Sequence, residues 1–192
     1  MQHFKVKFFA RGNPAVHAEQ VIPIYHRWIQ QSAIPDHVLF DVSDYQHVPA
    51  GPGVLLVANE ALITLDQIGN RTGVTYTRRM VLDGTDADRL RHAIGAALHV
   101  CHLFEQEPSL RGELKFEGGE IEISVNDRHL APNNDETFQE LEPAISQVLD
   151  DLWGPDRYTL AREGDARELL RVRARNDRSV DVWQLVEVIA VR

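Results

Sequence analysis

The sequence predicts an α+β fold: a mostly antiparallel sheet, built of a meander plus terminal hairpins, with three helices packed on one face. Three observations carry this. Apolar and polar residues alternate over short runs such as Phe4-Lys5-Val6-Lys7-Phe8, the period of a half-buried strand. Over longer runs apolar residues recur at helical spacing, as in Leu90, Ile94, Ala97, Leu98, Cys101 and Phe104. The elements follow in the order β-α-β-β-β-β-α-β-β-α-β-β-β, with strands grouped rather than alternating one for one with helices.

Residues 3–10 form the first strand, ended by Arg11-Gly12-Asn13-Pro14. Residues 15–32 read as a helix through Val21, Trp28 and Ile29. Pro23 either opens its well-formed part or kinks it, because proline lacks an N–H and clashes with the preceding turn. Val38 to Val42 is a short apolar run, hence a buried strand. Pro49 and Gly51-Pro52-Gly53 mark a loop. Three strands follow at 53–58, 61–67 and 73–82, with turns at Asn59-Glu60 and Gly69 to Gly73. Val54 to Val57 is apolar on both faces, so this strand is expected at the sheet's centre, covered on both sides.

Thr85, with Asp86 and Asp88 in the next turn, starts a helix over 86–106 by capping and by charge at the positive end of its dipole. A hairpin of 112–117 and 120–126 is expected about Gly118-Gly119. Thr137 and Glu140 match a capping box for the third helix, which runs through Leu141, Ile145 and Leu149 to Gly154-Pro155. Strands at 157–162, 168–175 and 180–190 close the chain. A three-residue turn at Asn176-Asp177-Arg178 sets Val172 opposite Val182 and Arg173 opposite Asp181, which keeps both faces chemically consistent.

Length and composition bound the function. The 192 residues suit one domain, 1–192, and 43% hydrophobic residues suit a packed core. Lys and Arg number 20 against 29 Asp and Glu, a formal charge of −9. That balance argues against nucleic acid or an anionic membrane as the main partner. The single cysteine excludes a disulfide framework within the chain and any multi-cysteine metal centre. No apolar stretch has the length of a membrane span or the form of a signal peptide, so a cytoplasmic protein is expected.

The segment from Asp41 to His47 carries the most suggestive chemistry. Asp41, Asp44 and His47 near a strand end are a candidate metal or acid/base site, with Arg128 as a partner for an anion or for one of those carboxylates. Set against this, Asp41 bonded to backbone, Asp44 capping a turn and His47 on the surface explain the same residues. His92, His99 and His102 lie on the long helix, with His92 and His99 on the face away from the apolar stripe, where solvent is the expected neighbour. Cys101 falls on that stripe and is expected to act as a small hydrophobe. The arginine stripe Arg171, Arg173 and Arg175 has the chemistry of an anion site, but nearby acids are expected to neutralise it.

No phosphate loop, nucleophile elbow, zinc-protease helix or dinucleotide fingerprint is present. No cofactor fingerprint is present, and the sequence leaves cofactor and metal content open. Trp183, Leu185 and Ile189 on one face of a terminal strand would need cover, which points to self-association through that strand. The expectation is therefore a non-catalytic, self-associating module for a protein or small ligand. The alternative is a hydrolytic or acid/base enzyme using Asp41, Asp44 and His47.

Overall fold

The structure, a computed structural model, describes residues 1–48 and 51–190. It is an α+β fold with one eight-stranded antiparallel sheet. The strands are β1 (Phe4–Ala10), β2 (Leu39–Asp44), β3 (Val54–Ala58), β4 (Ala61–Asp66), β5 (Gly73–Arg78), β6 (Phe116–Val125), β7 (Tyr158–Glu163) and β8 (Arg171–Asn176). The helices are α1 (Ala18–Gln31), α2 (Asp86–Glu105), α3 (Asp135–Trp153) and α4 (Val182–Ala190). Spatial order in the sheet is β2-β3-β4-β5-β1-β6-β8-β7.

Alternation along the strands sorts the two faces. Phe4, Val6 and Phe8 of β1, Val74 and Tyr76 of β5, and Ile121 and Ile123 of β6 turn to the helix side, where they are buried with Leu90, Ile94 and Leu98 of α2. Lys5 and Lys7, Thr75, and Glu120 and Glu122 turn to the other face. The same alternation puts Val172 and Ala174 inward and Arg171, Arg173 and Arg175 outward on β8. The helices take their places by the same logic. Tyr25 and Trp28 of α1 pack against Phe104 of α2 with ring centroids 5.9 and 4.7 Å away. Among the described residues no helix is long and apolar enough to cross a membrane.

Several sequence expectations need correction. Residues 112–126 are not a hairpin: β6 continues through Gly118-Gly119, with a bulge there, since Phe8 of β1 lies opposite Ile121 and Phe9 opposite Glu117. The glycines serve close approach instead. Gly118 N–H donates to Val180 O at 2.8 Å, and a Cβ on Gly118 would lie 2.8 Å from that same oxygen. The third helix is capped by Asn134, whose Oδ1 accepts the Thr137 N–H at 2.8 Å, so Thr137 lies inside the helix. Both Pro23 and Pro143 lie inside continuous helices.

The 73–82 strand stops at Arg78, because Arg79 and Met80 turn their N–H groups to Glu60 O. The 38–42 strand is not buried; β2 is an edge strand, and Phe40 is 56% exposed at a bulge. β3 accordingly sits second from the edge rather than at the centre. The expected loop runs over Pro49, which lies outside the described residues.

The largest correction concerns 180–190. This segment is helix α4, not a strand, so self-association through a C-terminal strand loses its element. Leu185 is buried and Ile189 half-buried, while Trp183 is exposed. The facing partners of β8 are β6 and β7: Arg173 lies opposite Glu122 and Ala161, not Asp181.

Candidate functional site

The main cleft lies on the helix side, between the 34–37 segment, α2 and α4, with a volume of about 610 Å³. Its floor is one stripe of α2: Asp88, Arg91, His92, Gly95, Ala96 and His99. Those positions step by three or four residues and so share a helix face, about 16 Å long at 1.5 Å per residue. Ile34 and Pro35 wall one side; Val186 and Ile189 wall the other. Small residues at the middle of the floor let α4 come close. A Cβ on Gly95 would sit 3.2 Å from Ile189 Cγ2.

Three histidines reach this cleft, and hydrogen bonding orders two of them. His37 Nδ1 lies 2.7 Å from Pro35 O, and Nε2 lies 2.9 Å from Tyr76 Oη. A carbonyl only accepts, so Nδ1 carries the hydrogen and Nε2 of the neutral ring accepts from the tyrosine. Tyr76 is fully buried, and that burial raises its phenol above the usual value. His99 Nε2 lies 3.0 Å from Ala33 O and therefore donates, which leaves Nδ1 of the neutral ring as an acceptor.

His92 differs from both. Among the described residues its ring has no hydrogen-bond partner, and its Nδ1 is shielded from solvent. Its ring centroid lies 6.1 Å from that of His37. Burial holds its pKa below the usual imidazole value, helped by the positive charge of Arg78 and the neighbouring His37, and opposed by Asp36. His92 is thus a neutral imidazole at pH 7. Arg91 is already neutralised by Asp151 at 2.7 Å and Asp88 at 3.4 Å. The cleft thus combines apolar walls with the uncharged imidazole of His92.

The residues singled out from sequence lie elsewhere. Asp41 and Asp44 stand on β2, the edge strand, and their spacing of three sends them to opposite faces: Asp41 pairs with Val57, Asp44 with Val54. Asp41 Oδ1 accepts the Val42 N–H at 2.8 Å, and Asp44 Oδ1 accepts the Gln46 N–H at 2.8 Å. His47 is exposed and stacks on Tyr45 with centroids 6.3 Å apart. Tyr45 and Gln46 line a second cleft, of about 490 Å³, beside the start of α1; Asp44 and His47 do not line it.

Arg128 is brought to neither carboxylate. Its guanidinium donates to Arg167 O at 2.8 Å, in the β7–β8 connection. Five strand spacings separate β2 from β6, which Arg128 follows, or about 24 Å at the usual spacing. Among the described residues no group of three or more His, Cys, Asp or Glu side chains is placed to hold a metal ion. Cys101 is fully buried, and burial pushes its thiol well above the ordinary value, in keeping with a core hydrophobe.

The chain matches no protein-family model, and neither a curated protein nor a solved structure matches it. What can be said of its role therefore rests on its own geometry. The sequence missed this cleft for a definable reason. His92 and His99 were expected to meet solvent, and it is α4 and the 34–37 segment that cover that face of α2. A signal was present in Gly95-Ala96-Ala97, a run of small residues of the kind that lets another element approach a helix closely.

Proposed function

We propose that this chain is a non-catalytic module that binds a small ligand in the histidine cleft. The observation that carries the reading is the pairing of an apolar wall, from Ile34, Val186 and Ile189, with His92, an uncharged imidazole that the protein itself leaves without a hydrogen bond. Binding sites commonly combine apolar walls with a few convergent polar groups. A ligand suited to it has an apolar body and one polar group able to bond an imidazole nitrogen. Of the cleft's charged members, Asp88 and Arg91 are paired with each other, and Asp36 adds a carboxylate that disfavours an anionic ligand.

The acid/base alternative, built on Asp41, Asp44 and His47, has less to support it. Both carboxylates are engaged by neighbouring backbone N–H groups, and the two project from opposite faces of one strand.

The test uses N-phenyl-1-naphthylamine, an uncharged apolar fluorophore with one N–H that can donate to an imidazole nitrogen, on the full chain. Wild type is expected to bind one equivalent saturably, and Ala96→Trp, which fills the cleft floor, is expected to lose that binding while melting at a similar temperature. Equal binding by both proteins would overturn the reading. Native mass spectrometry of the untagged protein, run alongside, reads any co-purifying ligand and the oligomeric state expected from self-association.

A further inference from the structure

On the sheet face that the helices leave open, the arginine stripe is paired across strands. Arg173 lies 2.6 Å from Glu122 and 3.1 Å from Glu163, and Arg71 forks onto Glu120 with contacts of 2.7 and 2.9 Å. The neutralisation expected from sequence is thus present, but supplied by β6 and β7. It is incomplete at one place.

A cleft of about 180 Å³ opens over β1 beside Phe9. Five cations line it: Lys5, Lys7, Arg71, Arg171 and Arg173. The carboxylates on its wall are Asp66, Glu122 and Glu163. Asp66 is committed to Lys7, and Arg71 to Glu120 outside the cleft. Lys5, Arg171 and Arg173 then face Glu122 and Glu163 within the cleft, and Arg173 also reaches Glu120 outside it at 3.4 Å. Glu168, at the rim, holds one end of Arg171 at 2.9 Å. Lys5 makes no ion pair among the described residues.

Two further observations locate the deficit. The Nε–H groups of Arg171 and Arg173 are both shielded from solvent and find no acceptor in the protein. For Arg171, the Glu163 carboxylate oxygen that faces Nε is 3.9 Å away, beyond hydrogen-bonding distance. Unmatched buried donors are costly, more so on charged groups. Three cations also crowd one ring: the guanidinium carbons of Arg71 and Arg173 lie 3.7 and 4.5 Å from the Phe9 centroid, and the Lys7 ammonium lies 5.4 Å from it.

We propose that this cleft is a binding site for a small oxyanion of the phosphate class, held by Lys5, Arg171 and Arg173. Guanidinium forks match the geometry of phosphate oxygens, and a modest turn of either fork would bring its unmatched Nε–H to an oxygen seated over Phe9. The volume, equal to about six waters, admits one such group. The site lies across the sheet from the histidine cleft and does not depend on it.

The test follows the arginine Nε–Hε signals of the ¹⁵N-labelled full chain as sodium phosphate is added, against sodium chloride at matched ionic strength. The signals of Arg171 and Arg173 are expected to move saturably with phosphate alone. Lys5→Gln is expected to weaken the apparent affinity several-fold without changing the melting temperature, since Lys5 holds nothing else in place. Arg171→Gln, if it folds, is expected to weaken it further. Tighter binding of phenyl phosphate than of inorganic phosphate would assign the site to a phosphate ester; equal binding would assign it to the free anion. Signals that move alike in phosphate and chloride, or a Lys5→Gln protein that titrates like wild type, would overturn the proposal.

Discussion

The ammonium of Lys7 is held 2.6 Å from Asp66 Oδ1, with both side chains almost wholly out of solvent. Every hydrogen of that ammonium is used, because Nζ also donates to Ile68 O at 3.1 Å and Arg71 O at 2.9 Å. The carboxylate is equally occupied: Oδ1 also accepts the Ile68 N–H, and Oδ2 accepts the hydroxyls of Thr64 and Thr75. One buried ion pair thereby ties β1 to β4, to β5 and to the turn between those two.

Breaking this pair from one side strands a buried charge, which costs about 3–5 kcal/mol. Lys7→Met and Asp66→Leu should each show that loss in urea unfolding at neutral pH. The double variant should recover much of it, since an apolar pair of similar volume avoids the desolvation penalty. Additive losses in the double variant would mean that the two residues act independently.

Gly118 gives a second test, in which backbone rather than charge decides. A methyl group there would meet Val180 O at 2.8 Å and Leu185 Cδ1 at 3.0 Å. A carbonyl fixed by its own hydrogen bond to Gly118 N–H cannot retreat without breaking that bond. Gly118→Ala is therefore expected to cost about 1–3 kcal/mol, the range of overpacking, and to loosen the segment leading into α4. Hydrogen exchange should show faster exchange at Gly118 and in α4. Unchanged protection in α4 would detach it from β6.

How much of this could be read in advance depended on element length. Long periodic runs were legible: α2 and its Thr85 cap were expected, and the helix runs Asp86–Glu105 with Asp88 closing the capping box. Val182 to Ala190 was not, because a nine-residue run rich in valine fits both periods. Taken two at a time it sets Val182, Val186 and Val188 on one face and Trp183, Leu185 and Ile189 on the other; taken at helical spacing, Val182, Leu185, Val186 and Ile189 form one stripe. Only packing decides, and Leu185 and Val182 reach the core as a helix. The error propagated, for without α4 the histidine face of α2 has no second wall. The Gly118-Gly119 pair misled similarly, since a glycine that turns a chain and one that admits another backbone look alike in sequence.

His92 makes stability depend on pH, with a sign that its surroundings fix. Its folded pKa lies below the ordinary imidazole value of 6.5, chiefly because the ring is buried. The unfolded chain therefore binds more protons between the two values, and stability rises with pH through that window. The contribution is fully present above the unfolded value and is lost as pH falls through the folded one. Urea unfolding followed from about pH 7.5 down to pH 5 should show a decline that His92→Gln flattens. A slope unchanged by His92→Gln would place the titrating group elsewhere.

Asp41 has a consequence at the sheet edge whatever its part in any chemistry. Among the described residues β2 pairs only with β3, and the residues beside Asp41 are apolar and open: Val38 is 63% and Phe40 56% exposed. A long apolar edge is a template for a strand from another chain, which charges and bulges discourage. Asp41 supplies a charge there, its carboxylate occupies the Val42 N–H, and the bulge between Leu39 and Asp41 breaks the edge's regularity. Asp41→Val removes the first two safeguards while raising strand propensity. It should leave the unfolding free energy within about 0.5 kcal/mol of wild type, as expected for an exposed position, yet promote further association as concentration rises. Sedimentation velocity across a dilution series separates the cases. A variant that sediments like wild type at every concentration would show that the bulge alone protects the edge.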